Sequence, residues 1–283
     1  MDLCDRKDIQ SLLARHGFHF AKSLGQNFLI RGDVAEAIAD AGCIPGCGVL
    51  EVGPGIGALT VQLARRAEKV VSVELDKRLP PVLAETMADC DRFTLIEGDV
   101  MKLSLAAVAA EQFQGLEPVL CANLPYNITT PFLTECVRAG CFRQLTVLIQ
   151  KEVAQRICAR PGTGEYGAFT VLMQYYTEPE LLFEVPNTCF MPPPKVTSAV
   201  VRCVTRRERP VQVVSEEAFW RTVRAGFALR RKTLVNSLQT GWQLPKERLA
   251  GIVESCGLPP TVRGEALGLE EYARLADALA AAE

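Results

Sequence analysis

The sequence predicts an α/β fold: an open, parallel sheet buried on both faces. Three observations carry that expectation. Short apolar runs alternate with amphipathic stretches over roughly the first half of the chain. The runs are nearly continuous in Val, Leu and Ile, as strands covered on both sides are. Their ends carry Gly, Asp or Asn, the punctuation of short strand-to-helix loops.

Taken in order, residues 33–42 read as a helix that Asp33 can cap, with Val34, Ile38 and Ala41 on one face. Residues 48–53 read as a buried strand and 57–67 as the helix after it. A second strand, 69–74, leads to a helix over 77–88. Strands follow at 93–97, 118–122 and 145–150. After Lys151 the texture changes: Pro179, Pro186, Pro192, Pro193 and Pro194 precede a strand over 198–204. From about 206 the chain turns helical, with helices expected at 216–239, 246–256 and 269–281. The expected domains are 1–207, built on the sheet, and 208–283, small and helical.

Composition fits a folded chain: 283 residues, 48% hydrophobic and 23% charged. Disorder, collagen and coiled coil are excluded as the main organisation. No run approaches the roughly 18 apolar residues of a membrane-spanning helix. The first ten residues are charged and lack an apolar stretch, so no secretory signal and a cytoplasmic setting are expected. Eleven cysteines are scattered; the nearest pairs are Cys43 with Cys47 and Cys136 with Cys141. The only histidines, His16 and His19, lie far from both, so no metal site is expected and the thiols read as reduced.

Net charge is −2, but its distribution is uneven. Residues 196–245 hold nine Lys or Arg against three acids, a local +6 on an otherwise acidic chain. A focused contact with a polyanion fits that pattern. Within it, Phe219, Val223, Phe227 and Leu234 share a helical face that packs. Arg224, Arg230, Arg231 and Lys232 project away and can track phosphates. A solvated charged face is the plainer alternative.

Four motifs carry chemistry. Glu51-Val-Gly53-Pro-Gly55-Ile-Gly57 lies between a strand and a helix, where glycines let the backbone pass close to a ligand. The dinucleotide spacing would need glycine at position 58, which is Ala58, and Pro54 removes a backbone N–H that could face a phosphate. An uncharged loop suits S-adenosylmethionine, a nucleoside carrying a sulfonium and an amino acid. Glu74 ends the second strand, where a carboxylate accepts from ribose hydroxyls; nicotinamide and S-adenosylmethionine sites share that geometry. Asp99, after Gly98, can accept from an adenine amino group or cap a turn. Asn123-Leu124-Pro125-Tyr126 follows the fourth of these strands. The adenine N6 amine is a poor nucleophile because its lone pair is delocalised into the ring. The Asn123 side-chain oxygen and the Leu124 carbonyl can accept from it and favour a pyramidal nitrogen. Pro125 sets the turn, and Tyr126 offers a face to an extruded base.

These motifs resemble the KsgA/RsmA family of small-subunit ribosomal RNA adenine dimethyltransferases. Further matching stretches are Lys22-Ser-Leu-Gly25-Gln26-Asn27-Phe28-Leu29, Val73-Glu74-Leu-Asp76, Gln150-Lys-Glu-Val153, Phe190-Met-Pro-Pro-Pro-Lys-Val196 and Arg230-Arg231-Lys232. The resemblance spans nearly the whole chain. It implies a Rossmann-like S-adenosylmethionine-dependent methyltransferase sheet with a small C-terminal helical domain. It implies a cofactor pocket of Gln26, Asn27, Leu29, Gly53, Gly55, Glu74, Asp99 and Asn123, with residues 25–28 folding over the cofactor. It implies catalytic roles for Asn123, Leu124, Pro125 and Tyr126. The substrate it implies is 16S ribosomal RNA in the small subunit or its precursor, dimethylated at two adjacent adenines near the 3′ end. Phe190, held by prolines, can stack on the flipped base or serve as core; Lys195 can meet a phosphate or stay solvated. A monomer is expected, without metal or membrane. The related large-subunit methyltransferases that confer macrolide resistance, a non-catalytic RNA-binding assembly factor and a nicotinamide dehydrogenase are the alternatives. The Arg-Arg-Lys helix favours the first reading over the large-subunit enzymes, the intact Asn123 and Tyr126 favour it over the assembly factor, and the glycine spacing favours it over the dehydrogenase.

Overall fold

The structure is a computed structural model that describes residues 1–20 and 25–283. In chain order its first elements are α1 (Arg6–Arg15), β1 (Phe28–Leu29), α2 (Gly32–Gly42), β2 (Cys47–Val52), α3 (Ala58–Ala64), β3 (Lys69–Glu74), α4 (Pro80–Thr86) and β4 (Phe93–Glu97). Then come α5 (Leu105–Gln112), β5 (Glu117–Asn123), α6 (Thr129–Ala139), β6 (Gln144–Gln150), α7 (Lys151–Ile157), α8 (Ala168–Tyr176), β7 (Thr177–Val185), β8 (Phe190–Met191) and β9 (Ser198–Thr205). The last are α9 (Glu216–Ala228), α10 (Leu234–Leu238), α11 (Lys246–Ser255) and α12 (Leu269–Ala280).

Two compact units result: residues 1–154 with 178–205, and residues 155–177 with 206–283. The single division expected after residue 207 is therefore only half of the arrangement, because 155–177 groups with the C-terminal helices. The sequence signal was composition. The segment 155–177 carries no charge run that ties it to the later helices, and its bonds to them are tertiary.

The first unit holds a seven-stranded sheet in the order β4-β3-β2-β5-β6-β9-β7. The strands β4, β3, β2, β5 and β6 are mutually parallel. β9 runs antiparallel to β6, with Gln150 opposite Ser198, so the sheet is mixed rather than wholly parallel. Every residue of β2 is buried, which explains why it is apolar except at Glu51. The chain builds outward from β2 to β4, then returns to place β5 on the other side. The order therefore reverses between β2 and β5, and ligands bind beyond the carboxyl ends of strands at such a reversal.

One face of the sheet buries Ala35 and Ile38 of α2 and Leu59 and Leu63 of α3 against Val49, Val70, Val119 and Leu148. A second cluster joins Ile9, Leu12 and Leu13 of α1 to Val82 and Leu83 of α4, with Phe18, Phe28 and Ile30. Asp5 caps α1 by accepting from the Lys7 and Asp8 N–H groups. Asp33 does not cap α2: Arg31 holds the cap position, and its guanidinium pairs with the Asp33 carboxylate instead. α4 starts at Pro80 rather than 77, since proline suits a first helical turn whose N–H groups lack partners anyway.

In the second unit the helix expected over 216–239 is two helices, α9 and α10. The Ser237 hydroxyl explains the break. It donates to the Ala225 carbonyl at 2.7 Å and accepts the Leu229 N–H at 3.0 Å, closing α9 before the Arg230-Arg231-Lys232 turn. Phe219, Val223 and Leu234 pack as expected, each nearly or fully buried. Tyr175 of α8 stacks on Phe219 with ring centroids 5.1 Å apart.

Candidate active site

A cleft opens at the carboxyl ends of β2, β3, β4 and β5, enclosing about 1060 Å³ that includes open solvent. All its lining residues belong to the first unit. The floor is the turn after β2. Gly53, Gly55 and Gly57 take φ of 69°, 60° and 93°, the left-handed region that glycine enters without penalty. Gly55 is also a close approach: a Cβ there would lie 2.9 Å from the Phe28 ring. The glycine turn, the β1 strap and the Asn123 loop thus converge, because Gly53 likewise abuts Pro125.

Glu74 sits at the end of β3 and lines the cleft. Burial pushes its carboxyl above the usual carboxylate range, and bonds from the Asp76 and Gly55 N–H groups oppose that push. Asp76 N–H donates to Oε1 at 2.8 Å. Asp76 in turn takes the Gln26 side-chain amide at 2.7 Å and the Arg78 guanidinium at 2.8 and 2.6 Å. Its carboxyl is held below the usual range, first by Arg78. This carboxylate ties the strap at Gln26 to the end of β3. It stands within the matched Glu74-Leu-Asp76 stretch, yet residue order alone gives it no role. Its one signal there is the position two residues beyond Glu74.

Asp99 also lines the cleft and, at the same time, caps the turn after it, accepting the Met101 N–H at 3.0 Å. Glu51 lies beneath the glycine turn, 1% exposed. One oxygen, Oε2, accepts from Thr60 at 2.8 Å and Ser72 at 2.7 Å. Burial raises the Glu51 carboxyl to about 7, with the two hydroxyls acting in the opposite sense.

Asn123 ends β5. Its side-chain N–H₂ donates to the Asn27 carbonyl at 3.1 Å, and Leu124 N–H donates to the Leu148 carbonyl at 3.1 Å. Thr129 and the Ile128 N–H both donate to the Pro125 carbonyl at 3.2 Å, closing the turn. Tyr126 is half-buried at the cleft wall, its phenol oxygen 2.7 Å from Ser198 Oγ.

Every residue expected to bind the cofactor (Gln26, Asn27, Leu29, Gly53, Gly55, Glu74, Asp99 and Asn123) lines this one cleft, with Leu124, Pro125 and Tyr126. Phe190 does not. It is fully buried, paired with Leu29 across β1 and β8, and packed among Leu29, Val185 and Val200. The Phe-Met-Pro pattern marks the strand that holds the strap, and of the two readings open for Phe190, stacking or core, its placement here fits core. Lys195 is exposed. Lys22, which opens the first matched stretch, lies outside the described residues.

In the second unit, Arg224, Arg231 and Lys232 are exposed, and none of their side chains has a partner among the described residues. Arg230 differs. Its guanidinium donates to the Gly164 carbonyl and pairs with Glu265 at 3.4 Å. Arg202, Arg209 and Arg221 also pair with acids, Glu180, Glu216 and Glu283. Much of the local positive charge therefore brackets the fold. Among the described residues no cluster of three or more His, Cys, Asp or Glu could hold a metal, and no helix is long and apolar enough to cross a membrane.

The sheet, its order reversal and the cleft define a Rossmann-like methyltransferase. Residues 17–280 match the model of the ribosomal RNA adenine dimethylase family. The chain belongs to that family, and it is an enzyme of the rRNA adenine dimethyltransferase class. A ribosomal RNA small subunit methyltransferase A of Geobacillus thermodenitrificans is 48% identical over 278 residues, covering 95% of this chain and 94% of that protein. One from Bacillus cytotoxicus is 45% identical over 284 residues, covering 98% and 97%. The solved structure of the 23S rRNA methyltransferase ErmE superposes with a TM-score of 0.68 at 27% identity, covering 90% of this chain and all of that one. A dimethyladenosine transferase from Plasmodium falciparum gives 0.72 at 22% identity, covering 88% and 95%, which supports the fold.

Proposed function

We propose that the cleft takes S-adenosylmethionine and that the enzyme dimethylates N6 of two adjacent adenines near the 3′ end of 16S ribosomal RNA, within the small subunit or its precursor. The observation that carries the cofactor assignment is the charge of the cleft. Its described lining includes the acidic side chains of Glu74 and Asp99, with Glu51 buried beneath, and no Lys, Arg or His. A phosphate-free, cationic nucleoside fits such a lining; a pyrophosphate meets repulsion there. The tight glycine turn adds an uncharged floor.

On this reading Glu74 would hold the ribose hydroxyls, Asp99 the adenine amino group, and Gln26, Asn27 and Leu29 the strap above. When bound, the cofactor supplies an electrophilic methyl group on a sulfonium. The chain's own residues prepare the acceptor. Asn123 Oδ1 and the Leu124 carbonyl take the two N–H bonds of the target amine and draw its nitrogen toward a tetrahedral shape. Tyr126 offers its ring face to the extruded base. No tuned base is required, because the amine proton becomes acidic once the nitrogen is cationic.

Arg224, Arg231 and Lys232 are the proposed phosphate contacts, and recognition through shape and backbone suits RNA helices. The relatives named as small-subunit enzymes cover almost the full chain, which favours that substrate over large-subunit RNA. The proposed setting is a monomer in the cytoplasm, where subunits mature.

Tritiated methyl transfer to undermethylated small subunits, large subunits and naked RNA tests the reading. Label confined to small subunits, about four methyls each as N6,N6-dimethyladenine on two extruded bases, is the expected result. Label in large subunits moves the assignment to the resistance-type enzymes. Binding without label makes the protein an assembly factor.

A further inference from the structure

We propose that Ser198 is a positioning residue for methyl transfer: its hydroxyl holds the Tyr126 ring beside Asn123. The inference rests on the stacking role proposed above for Tyr126. The two oxygens lie 2.7 Å apart, and the two side chains are each other's hydrogen-bond partner. Ser198 is fully buried at the start of β9. Its backbone sits opposite Gln150 in the β6–β9 ladder, and the neighbouring stretch of chain is pinned by Lys151 N–H donating to the Thr197 carbonyl at 3.0 Å. The hydroxyl is therefore a fixed point of the sheet.

Tyr126 is the opposite case. It stands on the loop between β5 and α6, half-buried at the edge of the cleft. The backbone bonds that close this loop end on Pro125, and none of them restrains the Tyr126 side chain. A tyrosine oxygen lies on the long axis of its ring, so a bond at that oxygen fixes χ1 and the position of the whole ring. The sheet thereby sets where a stacked base would lie relative to Asn123, at the end of β5. The bond also engages the only polar group of the side chain. Burial pushes the phenol further up from its ordinary value, so the oxygen that meets Ser198 stays neutral and the ring is left for the proposed stacking.

A merely structural hydroxyl and a positioning one make different kinetic predictions. Ser198→Ala, Ser198→Thr, Tyr126→Phe and the Ser198→Ala/Tyr126→Phe pair are compared with the wild-type chain on undermethylated small subunits. A ring misplaced by a fraction of an ångström should lower kcat about tenfold. KM for subunits and affinity for S-adenosylmethionine should stay within about twofold, because neither depends on the ring's aim. Ser198→Thr keeps the hydroxyl and should recover most of the rate. Tyr126→Phe removes the same bond from its other end, so it should match Ser198→Ala, and the pair should be no slower than either. Tyr126→Phe also reads the bond if Ser198→Ala folds poorly.

A wild-type kcat in Ser198→Ala and Tyr126→Phe overturns the inference while leaving the proposed reaction intact. Multiplying losses in the pair overturn it too, since the hydroxyls would then act separately. A rise in KM with unchanged kcat overturns it by showing a binding role. A wild-type enzyme that labels no adenine in either subunit overturns both this inference and the reaction it serves.

Discussion

The Asn123 side-chain amide donates to the Asn27 backbone carbonyl, with 3.1 Å between nitrogen and oxygen. That bond assigns the two ends of the amide. Turned over, the Asn123 oxygen would face the Asn27 oxygen, two acceptors without a proton between them. The nitrogen is thus committed to the strap, and Oδ1 is left to accept. The strap therefore does more than line the cleft, since it orients the acceptor proposed to meet the target amine.

Asn123→Ala should lower methyl transfer about 100-fold, the scale seen when one preorganised hydrogen-bonding group is removed from a reacting centre. Affinity for S-adenosylmethionine should change only a few-fold, because the other lining residues remain. Asn123→Asp should fare no better: it keeps an acceptor, but sets a carboxylate against the Asn27 carbonyl. Single-turnover rates beside calorimetric titration of the cofactor read both effects. Full turnover in Asn123→Asp would show that the orienting bond is unimportant.

Much of this site could be read from residue order. The β3 and β4 boundaries match the expected spans, and the glycine turn, Glu74, Asp99 and the Asn123 loop all meet in one cleft. Those features are local: a strand, its end and the turn after it are set within a few residues. What sequence order hid is tertiary. Phe190 looks like an aromatic on a proline-rich loop, and only pairing with Leu29 makes it core. Asp76 and Ser198 become partners of Gln26 and Tyr126 across 50 and 72 residues. The split of α9 from α10 depends on a serine eight residues beyond the break. No periodicity carries such information.

Arg230 should behave unlike its neighbours. Removing one cation that meets a phosphate lowers the salt slope of RNA binding by about 0.7–0.9. Replacing Arg224, Arg231 and Lys232 with Ala should weaken small-subunit binding and flatten its dependence on salt. Arg230→Ala should leave the slope close to wild type, because its guanidinium is already engaged with Glu265 and Gly164. Binding isotherms between 50 and 200 mM salt, about the range over which counterion release is readily measured, distinguish the two variants. An equal drop of slope in Arg230→Ala would place it on the RNA.

Gly55→Ala should damage both stability and cofactor binding. Its φ of 60° costs a side-chain-bearing residue about 1–2 kcal/mol, and the new Cβ would lie 2.9 Å from the Phe28 ring. Phe28 is a buried member of the cluster under α1 and has little room to retreat. A loss of about 2 kcal/mol lowers Tm by roughly 4–8 °C in a domain of this size. Displacing Phe28 also shifts the strap, so cofactor affinity should fall at least about tenfold. Thermal melting with and without S-adenosylmethionine measures both, and an unchanged melting point would mean that the turn relaxes freely.

Glu51 ties the floor of the cleft to pH. Burial raises its carboxyl to about 7 from an ordinary value of 4.5. Between those two values the native chain keeps a proton that the unfolded chain has released. Native protein then binds more protons, so this group's contribution to stability falls as pH rises from about 4.5 to 7 and stays low above that. The full swing is at most about 3 kcal/mol. Glu51→Gln cannot ionise, and its amide oxygen can still accept from Thr60 and Ser72, the bonds that join α3 and β3 beneath the turn. Relative to wild type, the variant should therefore gain stability on going from pH 5 to pH 8. Chemical denaturation at the two values reads that difference, with the salt concentration held constant. A gap between variant and wild type that does not move with pH would show that Glu51 titrates alike in the folded and unfolded chain. The hydroxyls of Thr60 and Ser72 would then have to offset the whole cost of burying the charge.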